Sequence, residues 1–361
     1  MAKDATGSGG HAARFWREDG GRLRCTLCPR GCRLGDGQTG FCGARRSAAG
    51  RLVSLVYGRP ASVALDPIEK KPLYHFYPGS RILSLGTVGC NLACRFCQNA
   101  SLSRARAVDV VATFLPPDDV AGIAVREGAR SVAFTYNEPT IFAEYAIDVA
   151  RACRAAGVAT VMVTNGYVTP EAVAEIYPFI DGANVDLKSF SEEFYRRMTS
   201  AHLAPVLAAL EAMRAAGTWL ELTWLLIPGA NDGDDEIARA CDWVLGHLGD
   251  EVPMHFSAFH PDHLLTDRPA TSREALARAR RVAQGRGLKH VYCGNILDEE
   301  MHTTTCPGCG EALIRRTQFA VSESRLGPDG RCPCGRALAG RFDAAPGTAK
   351  HPGGRRLLLF P

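Results

Sequence analysis

Three cysteines within a short loop are the residues of this sequence best suited to chemistry. Cys90, Cys94 and Cys97 follow the spacing C-x3-C-x2-C, directly after the apolar, β-rich segment 81–88. Three thiolates are one short of a closed tetrahedral zinc site, whereas an iron–sulfur cluster held by three cysteines leaves one iron open to an exogenous ligand. The spacing predicts such a cluster at the end of a buried strand. A zinc site completed from elsewhere in the chain is the alternative.

Eight more cysteines form two further groups. The first group, with spacing C-x2-C-x3-C-x9-C, lies in a segment poor in core-forming residues and predicts either a structural zinc, which we prefer, or an auxiliary iron–sulfur cluster. The second group pairs a C-x2-C knuckle with a C-x-C knuckle, which is typical of a zinc ribbon and predicts a structural zinc. The two groups are Cys25, Cys28, Cys32 and Cys42, then Cys306, Cys309, Cys332 and Cys334.

Composition narrows the classes of function. Of 361 residues, 42 are basic and 38 acidic, for a net charge of +4, so nucleic acid is not required as a partner. No stretch is apolar enough to span a membrane, and residues 1–10 lack the apolar core of a signal peptide. We therefore expect a cytoplasmic protein without a membrane partner. In that reducing compartment clustered cysteines bind metals, and the isolated Cys153, Cys241 and Cys293 are expected to be buried apolar side chains.

After the first loop, strand and helix signals alternate along the chain. Together with the segment before Cys90 they give six strand–helix units, which predict an α/β fold with a partial TIM-type barrel of six units. The predicted strands are 131–135, 159–164, 183–187, 219–227 and 254–259; the predicted helices are 118–128, 140–156, 170–177, 204–216, 234–248 and 273–285.

Polar residues stand where these strands end. Active sites of such barrels lie at the carboxyl ends of the strands, so these residues are candidates for binding a cofactor. A carboxylate there can pair with an ammonium group and a lysine can neutralise a carboxylate. The candidates are Asn137, Glu138, Thr164, Asn165, Asp186, Lys188 and His260.

The cluster loop, with an aromatic residue before its third cysteine, resembles that of radical S-adenosylmethionine (SAM) enzymes. The following Gln98-Asn99 is similar to the activating enzymes of glycyl radical enzymes, such as pyruvate formate-lyase activase. Further motifs resemble the AmmeMemoRadiSam-system radical enzyme, an activase-like family, and the resemblance runs from about residue 22 to residue 340. These motifs are Tyr57-Gly58-Arg59, the stretch 66–76, Tyr136 to Thr140, and Phe259 to Asp262.

The resemblance implies residue roles. The three loop cysteines would hold a [4Fe–4S] cluster whose fourth iron is chelated by the methionyl group of SAM. Glu138 falls where the activases have G-G-E, which holds the methionyl amine, although Asn137 replaces a glycine. Residues 164–166 are similar to their D-T-N-G, with a valine replacing the acidic residue. Asp186-Leu187-Lys188 matches their D-L-K, and His260 matches their F-H.

The function expected from these roles is reductive cleavage of SAM to a 5′-deoxyadenosyl radical that abstracts hydrogen from a small-molecule or partner-linked substrate. An external one-electron reductant is required, and the family name makes Memo-like or AMMECR-like proteins candidate partners. The alternatives are an activating enzyme that installs a glycyl radical on a partner protein, a non-catalytic zinc or iron–sulfur scaffold, and an electron carrier.

The expected domain layout has four parts. A mobile tail covers residues 1–20, an N-terminal four-cysteine segment with a strap covers 21–80, the barrel core covers 81–298, and a zinc-ribbon-like unit covers 299–361. Within the strap, Lys70, Lys71, Tyr74 and His75 are either substrate contacts or parts of a lid. In the last unit, Arg315, Arg316, Arg325, Arg331 and Arg336 are expected to form a solvated face.

Overall fold

The computed structural model describes residues 10–110, 112–327, 329–342 and 355–357. Its centre is one sheet of nine strands, in the order β14-β13-β12-β11-β10-β9-β8-β7-β18. The strands are β7 (Ser62–Pro67), β8 (Arg81–Gly86), β9 (Ser131–Phe134), β10 (Ala159–Thr164), β11 (Gly182–Asp186), β12 (Trp219–Leu226), β13 (Met254–Ala258), β14 (Val291–Gly294) and β18 (Arg355–Arg356).

Strands β8 to β14 are parallel and follow the order of the chain, while β7 and β18 extend one edge in antiparallel fashion. Such strands are covered on both faces, which explains why apolar residues run continuously through segments such as 132–134. The sheet confirms the predicted partial barrel. It adds a seventh parallel strand, β14, that we did not predict.

Helices connect the parallel strands and pack in neighbouring pairs, α2 with α3, α4 with α6, and α7 with α8. Their observed ends lie within two residues of the predicted ones, except that the first turn predicted for α3 is a 3₁₀ turn, Pro139–Phe142. The helices are α1 (Ala100–Ser103), α2 (Pro117–Arg126), α3 (Ala143–Ala155), α4 (Pro170–Ile176), α5 (Glu192–Phe194), α6 (Leu203–Ala215), α7 (Asp234–His247), α8 (Arg273–Arg286) and α9 (Glu299–His302).

The N-terminal segment folds into two small sheets. Strands β1 (His11–Ala12), β5 (Arg45–Ala48) and β6 (Arg51–Ser54) form one; β2 (Trp16–Asp19), β3 (Arg22–Cys25) and β4 (Arg33–Leu34) form the other. The expectation of a mobile tail is therefore wrong for residues 10–20, and residues 1–9 lie outside the described part. Backbone pairing orders this polar stretch, and the His11 ring stacks on Tyr57 with centroids 3.5 Å apart.

The C-terminal unit is a three-stranded sheet of β15 (Thr304–Thr305), β16 (Ala312–Thr317) and β17 (Ala320–Ser324). Arg316 is fully buried, which corrects the expectation that it belongs to a solvated face. Its guanidinium donates to the carbonyls of Tyr74 and His302 and lies over the Tyr74 ring. These contacts hold the unit against the strap and the barrel. Arg315, Arg325, Arg331 and Arg336 remain at least one-third exposed.

Candidate active site

The carboxyl ends of the parallel strands surround a cavity of about 440 Å³. The cluster loop forms one wall and the ends of β9 to β13 form the floor and sides. Residues 69–74 of the strap and residues from the C-terminal segment, Asn295, His302 and Phe319, complete it. All three units of the chain thus contribute to one site, at the edge of the sheet where barrels of this type carry their chemistry.

The backbone of the cluster loop is anchored by a π-helical turn, Tyr195–Thr199, that follows α5. The Ala93 amide donates to the Thr199 carbonyl and the Arg95 amide to the Met198 carbonyl, both at 2.9 Å. A π-helical turn leaves carbonyl groups free for partners outside the helix, and such turns are frequent at functional sites. The loop is therefore held in place by main-chain hydrogen bonds that no sequence motif displays.

Two asparagines at strand ends tie the loop to the sheet. The side-chain amide of Asn137 donates to the Gly89 carbonyl at 2.9 Å and to Thr87 Oγ1 at 3.0 Å. That of Asn165 donates to Asn91 Oδ1 at 2.9 Å and lies 3.7 Å from Cys90 Sγ. Both predicted residues thus contact the cluster loop itself, and they fix its position.

Glu138 is a buried residue of the cavity lining, and its carboxylate joins the ends of neighbouring strands by hydrogen bonds. Its Oε1 accepts from Thr140 N at 2.9 Å and from Thr164 Oγ1 at 2.7 Å, and its Oε2 accepts from Asn165 N at 2.8 Å. Burial raises the pKa of this carboxyl group, which the three hydrogen bonds oppose. Three of about four acceptor positions are occupied, so one is left for a ligand. The contact with the methionyl amine stays a prediction.

Asp186 and Lys188 form an ion pair in the cavity wall, with Lys188 Nζ 2.7 Å from Asp186 Oδ2. Burial lowers the pKa of Lys188, but the Asp186 carboxylate and nearby Cys94 raise it more, so the ammonium group stays charged. Both side chains keep some exposure to the cavity, 16% for Lys188 and 30% for Asp186. The pair can therefore present a positive charge to a carboxylate beside the cluster loop.

His260 is placed differently from the other candidates. It is exposed and lies outside the cavity wall, with its Nε2 3.1 Å from the Gln98 side-chain nitrogen. Gln98 itself lines the cavity. His260 therefore reaches the site at its rim, through the residue that follows the third cluster cysteine.

A buried charged group in the strap was only partly expected. Lys71 Nζ lies 2.7 Å from Asp66 Oδ2, and the Tyr136 hydroxyl donates to the same oxygen at 2.9 Å. Burial lowers the pKa of Lys71 to about 8, against the opposing effect of Asp66. Tyr136 has a φ of +72°, a strained backbone for a tyrosine that is often found at functional sites.

Sequence reasoning named Tyr74 but missed two other polar residues that line the cavity, His255 and His302. His255 Nε2 lies 2.7 Å from Glu221 Oε2, and the Tyr74 hydroxyl shares a 2.6 Å hydrogen bond with His302 Nδ1. His255 lies within β13 and His302 in α9 of the C-terminal segment, so no strand-end position or motif marks either residue. His75, by contrast, lies away from the cavity, bonded to the Tyr292 hydroxyl at 2.7 Å.

The two outer cysteine groups differ in spacing. Among the described residues, only the C-terminal four bring three or more ligand atoms within 4.8 Å of one another, with Sγ separations of 3.7 Å (Cys306 to Cys334) and 3.6 Å (Cys309 to Cys332). Zn–S bonds of about 2.3 Å in a tetrahedron require sulfurs about 3.8 Å apart. The N-terminal four instead line a small cavity of about 20 Å³.

The cluster cysteines are chemically suited to a bound metal. Burial raises the pKa of the Cys94 thiol to about 12 and that of Cys90 well above its usual value. Without a cation these thiols keep their protons, and metal binding supplies the energy for releasing them. The donor set therefore fits a cluster that three thiolates hold and that leaves one position facing the cavity.

A partial barrel with an open three-cysteine loop at its carboxyl edge defines a class of enzyme that works with an iron–sulfur cluster and a small cofactor. The family model of the radical SAM superfamily matches residues 84–241. The uncharacterized protein MJ0808 of Methanocaldococcus jannaschii is 39% identical over 308 residues, which are 85% of this chain and 92% of that protein. The chain belongs to the radical SAM superfamily and is a radical SAM enzyme.

More distant relatives are activating enzymes. The benzylsuccinate synthase activating enzyme of Thauera aromatica is 26% identical over 259 residues, covering 68% of this chain and 76% of that enzyme. The 4-hydroxyphenylacetate decarboxylase activating enzyme of Clostridium scatologenes is 26% identical over 116 residues, 31% of this chain and 37% of that enzyme. Membership in the superfamily implies SAM and a [4Fe–4S] cluster, and it favours an enzyme over a non-catalytic scaffold.

Among solved structures, a radical SAM methyltransferase from Sphaerobacter thermophilus is similar at 17% identity and a TM-score of 0.48, over 61% of this chain and 68% of that one. A domain of a pyruvate-formate lyase-activating enzyme from Bacteroides vulgatus is similar at 18% identity and a TM-score of 0.41, over 46% of this chain and 99% of that domain.

In the described part of the chain, every helix is too short or too polar to cross a membrane.

Proposed function

We propose that this enzyme cleaves SAM reductively in the 440 Å³ cavity and removes a hydrogen atom from a small-molecule or partner-linked substrate held there. The observation that carries the proposal is that the three-cysteine loop and the Asp186–Lys188 pair line the same cavity. A cluster with one open iron and a cation for the methionyl carboxylate are the two requirements for holding SAM at the metal.

Each residue of the candidate site has a role that follows from its position in the cavity. Cys90, Cys94 and Cys97 would hold the [4Fe–4S] cluster, which, when bound, supplies the electron that cleaves SAM to methionine and a 5′-deoxyadenosyl radical. Lys188 would bind the methionyl carboxylate, and Glu138 offers its remaining acceptor position to the amine. Asn137 and Asn165 keep the loop in register with the sheet, and positioning of this kind is the protein's main contribution to cofactor chemistry.

The part of the cavity lined by the strap and by Tyr136 would hold the substrate. Asp66, Lys71 and Tyr136 place a buried positive charge and a hydroxyl group there, and His255 adds an imidazole at the floor. The cavity volume is at the low end of the roughly 300–1,000 Å³ found for small-molecule sites, and SAM must share it. A small molecule or one residue of a partner fits that space.

Two finer assignments accompany this proposal. The motifs around Tyr57, Asp66 and Phe259 support membership in the AmmeMemoRadiSam system, with a Memo-like or AMMECR-like protein as partner. The compact Cys306, Cys309, Cys332 and Cys334 group supports a structural zinc. Metal analysis should find one zinc fewer per chain in Cys309→Ser than in the unmodified protein, and equal zinc contents would refute the zinc assignment.

The test of the proposed function is the formation of 5′-deoxyadenosine. Anaerobically reconstituted protein, incubated with dithionite and SAM, should yield 5′-deoxyadenosine and methionine in equal amounts. Cys94→Ala/Cys97→Ala should yield none, whereas the control Cys153→Ala, which alters a buried cysteine outside the site, should match the unmodified protein. Equal product from all three proteins, or none from any, would contradict the proposal.

Installation of a glycyl radical is the second candidate, favoured by similarity to the activating enzymes of Thauera aromatica and Clostridium scatologenes. An external reductant is needed in either case. If this candidate is right, mixing the reduced enzyme with SAM and a candidate partner protein should give the glycyl radical doublet in an electron paramagnetic resonance (EPR) spectrum. Consumption of a small molecule without that doublet would decide against it.

A further inference from the structure

The four N-terminal cysteines surround a space that is larger than the site of a single ion. Cys25, Cys28, Cys32 and Cys42 line the 20 Å³ cavity together with apolar residues such as Leu27 and Ile141. No three of these sulfurs lie within 4.8 Å of one another, whereas the C-terminal four do. A tetrahedral zinc draws its sulfurs to about 3.8 Å. In a cubane each thiolate binds a different iron, so the sulfurs stand further apart.

The cluster loop provides an internal comparison. Cys90, Cys94 and Cys97 also lack the compact grouping of sulfurs found at the C terminus, and superfamily membership implies that they hold a [4Fe–4S] cluster. The N-terminal group therefore resembles the iron–sulfur site of this chain, and differs from the C-terminal group, in lacking sulfurs that are grouped closely enough for a single ion.

A buried arginine points to the same conclusion. Arg45 lies in the cavity wall and is 1% exposed. Its two terminal nitrogens pair with the Glu144 carboxylate at 2.8 and 2.9 Å, but its Nε has no hydrogen-bond partner among the described residues. A buried unpaired donor is costly, and the sulfurs of a cluster are acceptors for such a group.

We propose that Cys25, Cys28, Cys32 and Cys42 hold a second [4Fe–4S] cluster, with Arg45 Nε donating to one of its sulfurs. The structural zinc preferred from the sequence is thereby replaced by the auxiliary cluster. Because four thiolates ligate all four irons, this cluster has no open coordination position for SAM. Its expected role is electron transfer, and this role rests on the proposed function of the Cys90 site.

The N-terminal four-cysteine site is in contact with the cluster loop, to which it would transfer electrons. The Cys42 carbonyl packs directly against Gly89, and Asn91 lies in the wall of the N-terminal cavity while its side chain bonds to Asn165 beside Cys90. One electron would pass from a flavin hydroquinone, which becomes a semiquinone, to the second cluster. The same electron would then reduce the Cys90 cluster and return the second cluster to its oxidised state.

Metal content tests the site without relying on activity. The variant Cys90→Ala/Cys94→Ala/Cys97→Ala, reconstituted anaerobically, should keep about four irons and four sulfides per chain, with the Mössbauer spectrum of a [4Fe–4S] cluster. Adding Cys28→Ala to this variant should remove the remaining iron. Two zinc ions and no iron in the triple variant would overturn the proposal, as would iron that survives the fourth substitution. Neither result depends on SAM cleavage.

The role of Arg45 has a separate readout. Arg45→Lys keeps a cation beside Glu144 but removes the Nε donor, so in the triple variant the midpoint potential of the second cluster should become more negative. The control Arg17→Lys, which alters an exposed residue on the edge strand β2, should leave the potential unchanged. An unchanged potential in Arg45→Lys would overturn the assigned hydrogen bond.

Stopped-flow reduction by flavodoxin hydroquinone tests electron transfer. In Cys28→Ala/Cys42→Ala, the Cys90 cluster should still change its EPR signal on adding SAM, but the fast phase of its reduction should be lost. An intact fast phase would overturn the electron-transfer role and leave the metal assignment standing. Loss of the response to SAM in the unmodified protein would instead contradict the proposed function.

Discussion

Individual polar residues at the carboxyl edge of the sheet have two kinds of task. One set makes most of its hydrogen bonds to other groups of the protein and so joins strand ends to one another and to the cluster loop. This set is Asn137, Glu138 and Asn165. Lys188 and Lys71 instead line the cavity with charged groups. The first set fixes geometry, and the second set is available for ligands.

Removing the charge of Lys188 should weaken SAM binding. A charge-assisted hydrogen bond contributes about 1.5–3 kcal/mol, so Lys188→Met should raise the Kd for SAM by roughly 10- to 150-fold. Titration of the reduced cluster by EPR measures this affinity. Lys289→Met, which alters a surface ion pair away from the cavity, is the matched control. Equal affinities in the two variants would show that Lys188 does not bind the cofactor.

The lowered pKa of Lys71 predicts a dependence of stability on pH. Between about pH 8 and the usual value near 10.4, the unfolded chain holds a proton that folded Lys71 has lost. The free energy of unfolding contributed by this residue should therefore rise with pH across that window, by up to about 3 kcal/mol. Urea unfolding at pH 7.5 and pH 10 of the unmodified protein and of Lys71→Met measures the difference. Parallel pH profiles would contradict the shift.

At the scale of elements, the cluster loop depends on a close approach that only glycine allows. Gly89 has a φ of +93°, and a Cβ atom there would lie 2.1 Å from the Cys42 carbonyl oxygen. Gly89→Ala should therefore displace the loop and lower the iron bound at Cys90, Cys94 and Cys97. Iron analysis of the reconstituted protein measures the loss.

The variant Gly217→Ala is the control that separates backbone strain from steric clash, the two effects of Gly89→Ala. Gly217 has a φ of +81° but no atom within 4 Å of the added Cβ, so it bears the backbone strain without the steric clash. We expect its iron content to stay normal. If both variants lose iron to the same extent, the contact with Cys42 is not what holds the loop.

Local patterns predicted most of the elements because each strand and helix satisfies its own hydrophobic period. The run 159–164 is a strand from Ala159 to Thr164, as expected, and the helix expected over 234–248 ends one residue earlier. The strand β14 was not among the predicted ones. The π-helical turn under the cluster loop is set by tertiary hydrogen bonds to Ala93 and Arg95, which no local pattern encodes.

The candidate site was predictable where residues occur in motifs and unpredictable where distant segments meet. The cysteine spacing and the strand-end residues drew attention to Lys188 and Asn165 in the sequence. The pairing of Asp66 with Tyr136 joins residues 70 positions apart. Burial of Arg316 depends on contacts with Tyr74, which lies 242 residues away. Such contacts follow from the docking of units, and charge alone made Arg316 resemble a surface residue.

At the scale of the whole molecule, Arg316 joins the C-terminal unit to the strap that lines the cavity. Its Nε lies 3.5 Å from the buried Glu69 carboxylate, so Arg316→Met would leave that charge without its partner. Loss of one member of a buried ion pair costs about 3–5 kcal/mol. We expect a lower free energy of unfolding by about this amount, measured by denaturant titration.

The neighbouring arginine provides the control for that experiment. Arg315 is 44% exposed and pairs only with surface carboxylates, so Arg315→Met should change stability by less than about 1 kcal/mol. Similar losses in both variants would mean that the C-terminal unit is not anchored through Arg316.

The whole molecule therefore assembles one cavity from three units around an open three-cysteine loop. The most direct test is the EPR spectrum of anaerobically reconstituted, dithionite-reduced Cys28→Ala/Cys42→Ala protein, in which the signal of the Cys90 cluster stands alone, recorded with and without SAM. We predict a [4Fe–4S]⁺ signal that changes when SAM is added, because the fourth iron is open to it. A cluster signal indifferent to SAM, or a protein that holds only zinc, would contradict the account.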